Sequence, residues 1–415
     1  MIEQKYLLVI MIPTFVDAQE TRRVDELWHK DLIKHLDHIA DLALASPARH
    51  EPPPEGRYLA IETDPAKGSI SYVDMPPCRS TLKAIAGLPS ATYKLWKAIG
   101  RADVVHVNAA GWPISYGWVA APIAKMRGKF VLTNIESAGW RLGLRRPWRV
   151  KGIVQGLVFE SMARFCVNLS DLATFTQAGY RDEMLHESRK NRGHVVSASW
   201  IDDQVILPLE DAEAIWNSKL ADPSRPLKVV FAANLLPSKG VLTLLDALAI
   251  LDARGVGIDL RVYGRGVLAD AFTTAAERMT RSVTLTMEGM LAYGPDFFAM
   301  LRGMDVMAIP SLSDEQPRVV YDCFSQALPV IASATTGLRQ CVSDGHDGIL
   351  VPPGNASALA DALAWAATNR GRLRELGIAG LDIARSMTHS RMHIRRAELI
   401  QAAVAAKNAQ MSRGH

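Results

Sequence analysis

At 415 residues the chain is too long for one ordinary core and predicts two or three domains. Hydrophobic residues make up 48%, charged residues 22%, and the net charge is +4. That excludes collagenous, low-complexity and wholly disordered chains, and it gives no dense basic face for nucleic acid. Cys78, Cys166, Cys323 and Cys341 are scattered with no CxxC pair. They form neither a disulfide framework nor a zinc site, and a reducing cytoplasm is expected. The first residues lack a basic stretch followed by a long apolar run, so no leader is expected. No run of about 18 apolar residues predicts a spanning helix.

Short β-branched runs alternate with helical periods along the chain. Strands are expected at Leu7–Ile12, Arg57–Ile61, Ile70–Val73, Val104–Asn108, Phe130–Asn134, Cys166–Leu169 and Val195–Ser197, with helices at Val24–Leu36, Ser80–Gly100, Ile114–Met126 and Trp148–Arg164. The polar stretch Glu210–Arg225 reads as a boundary. Beyond it, strands are expected at Lys228–Ala232, Leu260–Tyr263, Val283–Met287, Val306–Ile309, Val330–Ala332 and Gly348–Val351. The intervening helices are Val241–Ala253, Leu268–Met279, Gly294–Met304, Arg318–Ala327, Ala356–Ala367 and Leu373–Ser386. Thr388–Lys407 reads as a separate helix and Asn408–His415 as a frayed tail. The alternation predicts an α/β chain of two doubly wound, Rossmann-like domains, which bind ligands at the carboxyl ends of their strands.

Three pieces of the second half carry chemistry. In Val229–Gly240 a buried strand ends in a loop, and Lys239-Gly240 opens a helix. Helix amides and a lysine together suit a diphosphate, although a solvated lysine fits equally well. Gly264 and Gly266 permit close backbone approach after the next strand, or simply make a turn. In Val306–Ser333, Asp314 and Glu315 lie in a loop, Pro317 is expected at the first helical position, and Asp322 follows one turn later. Amides of Arg318 and Val319 would face the ligand. The acids would reach sugar hydroxyls and a ribose diol, or merely cap the helix.

Together, Ala233-Asn234-Leu235, Lys239-Gly240, Asp314-x7-Asp322, Ala327-Leu328-Pro329-Val330-Ile331-Ala332 and Ser343–Gly354 resemble the C-terminal domain of the family-four retaining glycosyltransferases. The likeness covers Lys228–Leu363, about a third of the chain. It implies the GT-B fold, with two Rossmann-like domains facing a central cleft. Residues 1–205 would form the acceptor domain, 206–226 a linker, and 227–387 the nucleotide-sugar domain. Residues 388–415 would form a helix and tail packing back on the first domain. The implied reaction moves a sugar from a nucleoside diphosphate sugar to a glycan or lipid-linked acceptor. It would proceed with retention, with no metal or other cofactor, in polysaccharide or glycolipid synthesis.

Catalysis is expected at Lys239, Arg318, Asp314 and Glu315, and nucleotide-sugar binding at Asn234, Gly240, Gly264, Val319 and Asp322. Asn134 and Glu136, after a first-domain strand, would meet the acceptor. Four departures stand out. The family's arginine falls on Asn234, and both motif glutamates are aspartates. The Gly-Gly loop after the first strand is replaced by Ile12–Asp17, and a customary histidine is Ile135. Arg318 is expected to supply the charge missing at Asn234. A non-catalytic GT-B partner and a nucleotide-sugar epimerase remain as rival readings. Arg141, Arg145, Arg146 and Arg149, interleaved with tryptophan and free of acids, suit an anionic lipid head group. With the scattered cysteines, they lead to the expectation of a cytoplasmic protein, peripheral to the inner face of the plasma membrane.

Overall fold

The computed structural model describes every residue except 55, 63–67, 112, 139–149, 280–281, 314–315 and 414–415. Two compact units emerge: residues 1–197 with 392–415, and residues 198–391.

The first unit contains β1 (Tyr6–Val9), β2 (Thr14–Val16), β3 (Arg22–Asp25), α1 (Glu26–Leu36), β4 (Asp41–Arg49), β5 (Tyr58–Ala60) and β6 (Ser69–Met75). It continues with α2 (Thr81–Arg101), β7 (Val104–Asn108), α3 (Gly117–Met126), β8 (Phe130–Ile135), α4 (Val150–Leu169), β9 (Leu172–Phe175), α5 (Ala178–Met184) and β10 (Gly193–Val195). Its main parallel strands run β6-β4-β1-β7-β8-β9-β10, with short β2, also parallel to β4, and antiparallel β3 and β5 added beyond β4. Numbered with β2, β3 and β5 left out, this begins with the 3-2-1-4-5-6 order of dinucleotide-binding sheets.

The sequence concealed β4. Its Ala43, Ala45, Pro47 and Ala48 are poor strand formers, yet burial on both faces selects them for their small size. Cys166–Leu169 is not a strand but the last turn of α4, and the strand begins at Leu172. α4 is apolar on nearly all sides, so its sequence carries no helical period.

The second unit holds α6 (Leu209–Leu220), β11 (Leu227–Ala232), α7 (Val241–Ala253), β12 (Ile258–Tyr263), α8 (Ala269–Arg278), β13 (Val283–Gly289), α9 (Pro295–Arg302), β14 (Val306–Ile309) and α10 (Val319–Ser325). β15 (Val330–Ser333), α11 (Thr336–Cys341), β16 (Gly348–Val351), α12 (Ala356–Thr368) and α13 (Arg370–Ser386) complete it. The sheet is wholly parallel, ordered β13-β12-β11-β14-β15-β16. This is again 3-2-1-4-5-6. α6 occupies the stretch read as polar, and its Trp216 is buried, with Nε1 donating to Ala327 O at 2.9 Å.

Ala327 adopts a left-handed backbone, φ 51°, where the related motif has glycine. That conformation costs an L-residue about 1–2 kcal/mol. Ala327→Gly removes it while adding freedom to the unfolded chain worth about 0.4–1 kcal/mol. A net gain of roughly 0.5–1 kcal/mol is expected. It would read as a raised urea midpoint at unchanged slope; a lowered midpoint would refute the account.

The last helix, α14 (His389–Arg413), runs through the stretch expected to fray. From Met392 onward it belongs to the first unit, where Met392, Ala397, Ile400 and Val404 join a core with Ile2, Leu8, Leu36 and Leu132. Buried polar groups fix its register. His393 Nε2 meets Asp31 Oδ1 at 3.0 Å, and Arg396 donates to His35 Nε2 at 3.0 Å. The His35 Nδ1–H is then left to donate to Asp31 O at 2.8 Å. Burial holds the imidazoles of His393 and His106 well below their ordinary pKa, hence neutral.

Candidate functional site

The strand order of the second unit reverses between β11 and β14, and the site is built from the loops there. β11 ends at Ala232. Ala233 N donates to Tyr263 O and Leu235 N to Arg265 O, tying this loop to the one after β12. The tie needs glycine. A Cβ on Gly264 (φ 151°) would stand 2.0 Å from Ala233 O, and one on Gly266 (φ 156°) 2.5 Å from Leu235 O.

Pro237–Lys239 then makes a single 3₁₀ turn, and Gly240, φ 74°, starts α7. A Cβ on Gly240 would lie 1.8 Å from Pro310 O. The turn is therefore pressed against the end of β14. Ser238 O accepts from Leu312 N at 2.8 Å and from the Ser311 hydroxyl at 3.3 Å. Lys239 is half-buried and Asn234 exposed. The sequence pieces around Lys239, Gly264 and Ser311 thus form one hydrogen-bonded surface at the carboxyl ends of three strands.

On the β14 side, Asp314 and Glu315 lie outside the described residues. α10 begins at Val319 with Arg318 as its cap, so Pro317 precedes the cap and is not the first helical residue. Asp322 falls within the first turn and is only 6% exposed. Its Oδ1 accepts from the Tyr293 hydroxyl at 3.0 Å. Burial, with the Asp322 carboxylate second, pushes the Tyr293 hydroxyl far above its ordinary pKa, so it remains a donor. The guanidinium of exposed Arg318 lies 4.6 Å from the centroid of the Trp200 ring, and Trp200 stacks on His389. That contact restricts Arg318 through cation–π attraction while leaving its edge to solvent. Gln316 locks the same loop, exchanging hydrogen bonds with Ala198 N at 2.9 Å and Ala198 O at 3.0 Å.

Sequence reasoning missed Tyr293, Trp200 and Gln316. The only local hint was Tyr293-Gly294-Pro295 ahead of a helix.

In the first unit the order reverses between β1 and β7. Asn134, at the end of neighbouring β8, is 7% exposed, and its carboxamide is engaged at both ends. It accepts from Thr174 Oγ1 at 3.0 Å and donates to Glu136 Oε1 at 2.9 Å. Glu136 is exposed just beyond. Ile135, where the related motif has histidine, is fully buried. Arg141, Arg145, Arg146 and Arg149 lie outside the described residues.

Residues 226–369 match the family model described as glycosyl transferases group 1. The putative colanic acid biosynthesis glycosyltransferase WcaL of Salmonella typhimurium is 28% identical over 148 residues, 34% of this chain and 36% of that one. The D-inositol 3-phosphate glycosyltransferase of Corynebacterium glutamicum is 28% identical over 250 residues, 58% of this chain and 59% of that one. These matches span about a third to three-fifths of the relatives' length. Anabaena HepE, solved in complex with UDP, superposes with a TM-score of 0.62 at 14% identity, covering 96% of this chain and all of HepE. The chain has the GT-B fold.

Proposed function

We propose, on the premise that residues 226–369 belong to the glycosyl transferases group 1 family, that this chain transfers a sugar from a nucleoside diphosphate sugar. The observation carrying this reading is the seam between β11 and β14. There the Lys239–Gly240 turn is hydrogen-bonded to the loop leading to Arg318, and buried Asp322 lies one turn beyond. In this reading Lys239 and Arg318 meet the charge that grows on the departing diphosphate. Asn234, Gly264 and the amide of Val319 line the phosphates, and Asp322 holds the ribose diol with Tyr293 orienting its carboxylate. Asp314 and Glu315 contact the transferred sugar, and Glu136 the acceptor. Asn134 positions Glu136 through its hydrogen bond. Charge is met by side chains, so the reading calls for no metal ion. Transfer proceeds with retention to a glycan or lipid-linked acceptor.

The UDP bound to HepE makes uridine diphosphate the first ligand to try. A thermal-shift panel of nucleoside diphosphates and their sugars tests the reading. A ligand at a hundred times its Kd stabilises by about 2.7 kcal/mol, readily seen as a raised Tm. Failure of every nucleotide to move the transition would sink it. Exposed Asn234, at the place of the family's arginine, favours one rival, a binding-only protein. That rival predicts a Tm shift without sugar transfer or donor hydrolysis.

A further inference from the structure

α2, α3 and α4 cover one side of the first sheet and share its core through Leu95, Ile99, Ala121, Phe159, Ala163 and Cys166. Their outer faces are unusual. On α2, Leu82 is 81% exposed, and Ile85, Tyr93 and Trp96 continue the stripe at steps of three, eight and three residues, which keep to one helix face. On α4, Val150 is 76% exposed, followed by Val154, Leu157 and Phe165. α4 therefore presents apolar residues both to the core and away from it. A helix apolar all round is expected to be covered on all sides. Exposed apolar stripes of this kind, on the two helices that flank α3, mark an interaction surface.

Charge identifies what would cover it. These three helices contain seven basic residues and one acid, Glu160. Lys94, Lys125 and Arg164 are engaged locally, by Asp74 O, Asp171 and Glu160. Lys83, Lys97 and Arg101 are exposed on α2 with no acidic partner among the described residues. Lys97 sits over Tyr93 at 4.6 Å, and Arg127 over Trp96 at 4.5 Å. Aromatic rings carrying cations suit the boundary between hydrocarbon and head groups. A second copy of the same face would bring like charges together, whereas an anionic lipid surface complements them. No described helix is long and apolar enough to cross a membrane, so the lipid would be met from one side.

We propose that the outer faces of α2 and α4 dock on an anionic bilayer, with Leu82, Ile85, Val154 and Leu157 entering the head-group boundary and Lys83, Lys97 and Arg101 pairing with lipid phosphates. This does not depend on the transferase reading. The full chain should float with phosphatidylcholine vesicles containing phosphatidylglycerol, far less with phosphatidylcholine alone, and less as salt rises. Leu82→Gln/Ile85→Gln on α2 and Val154→Gln/Leu157→Gln on α4 should each weaken binding by roughly tenfold or more, since each removes two apolar anchors. Lys97→Gln/Arg101→Gln, on a separate set of side chains, should also lose roughly tenfold. Any nucleotide-induced thermal shift should persist in all three. Three outcomes would overturn the proposal. One is wild-type protein that stays unbound at low salt. Another is binding unchanged in the two apolar pairs. The third is a dimer by light scattering that the same substitutions dissociate, which would give the face to a second copy.

Discussion

Gly240→Ala should cost the second unit about 2–5 kcal/mol, combining a left-handed backbone with a clash that must push the chain aside. The clash is the larger part, because the new Cβ would meet the backbone carbonyl of Pro310 at 1.8 Å, with no flexible side chain to give way. Gly345→Ala supplies the control. Gly345 has nearly the same φ, 73°, but nothing within 4 Å of its would-be Cβ. It should lose only the conformational cost of about 1–2 kcal/mol. Urea unfolding of both variants measures the difference, and equal losses would show that the seam between the β11 and β14 loops is not tight. Gly240→Ala should also abolish the Tm response to nucleotide while Gly345→Ala retains it.

Lys239→Met should lower kcat/KM for the donor by roughly ten- to a hundredfold, the worth of a charge-assisted contact of about 1.5–3 kcal/mol. Methionine keeps the unbranched apolar stem and most of its length, so packing of the turn should survive. Arg318→Ala should act differently, reducing kcat more than it raises KM, because charge on the diphosphate grows as the bond breaks. Adding Asn234→Arg to Arg318→Ala should restore part of the rate, and strict additivity of the two changes would defeat the compensation. Wild-type kcat/KM in Lys239→Met would remove Lys239 from the site.

The second unit was the more legible in sequence. Val241–Ala253, Val306–Ile309 and Gly348–Val351 have the expected bounds, because buried parallel strands read as unbroken β-branched runs between clear helices. In the first unit the alanines of β4 and the apolar residues spread around most of α4 weakened the usual periodic signal. The site divides the same way. Lys239, Gly240 and Asp322 could be named as candidates because they fall at set spacings along the chain. Tyr293 meets Asp322 across 29 residues, and Gln316 meets Ala198 across 118, with no local pattern announcing either contact. Nor did the sequence hint that Arg318 would rest on Trp200, since stacking depends on how the segment after β10 passes the helix cap.

The return of α14 to the first unit has a consequence for how the protein is made. Everything between Ala198 and Arg391 leaves the ribosome before the residues that finish the N-terminal core. At about 5–20 residues per second, Ile2, Leu8 and Leu36 wait roughly 20–70 seconds for Ile400 and Val404 to cover them. The later-made unit can close first on its own contiguous chain. The earlier one holds an open apolar face through that interval, a natural substrate for a chaperone. A stop codon placed before Met392 would therefore damage the half of the molecule synthesised first.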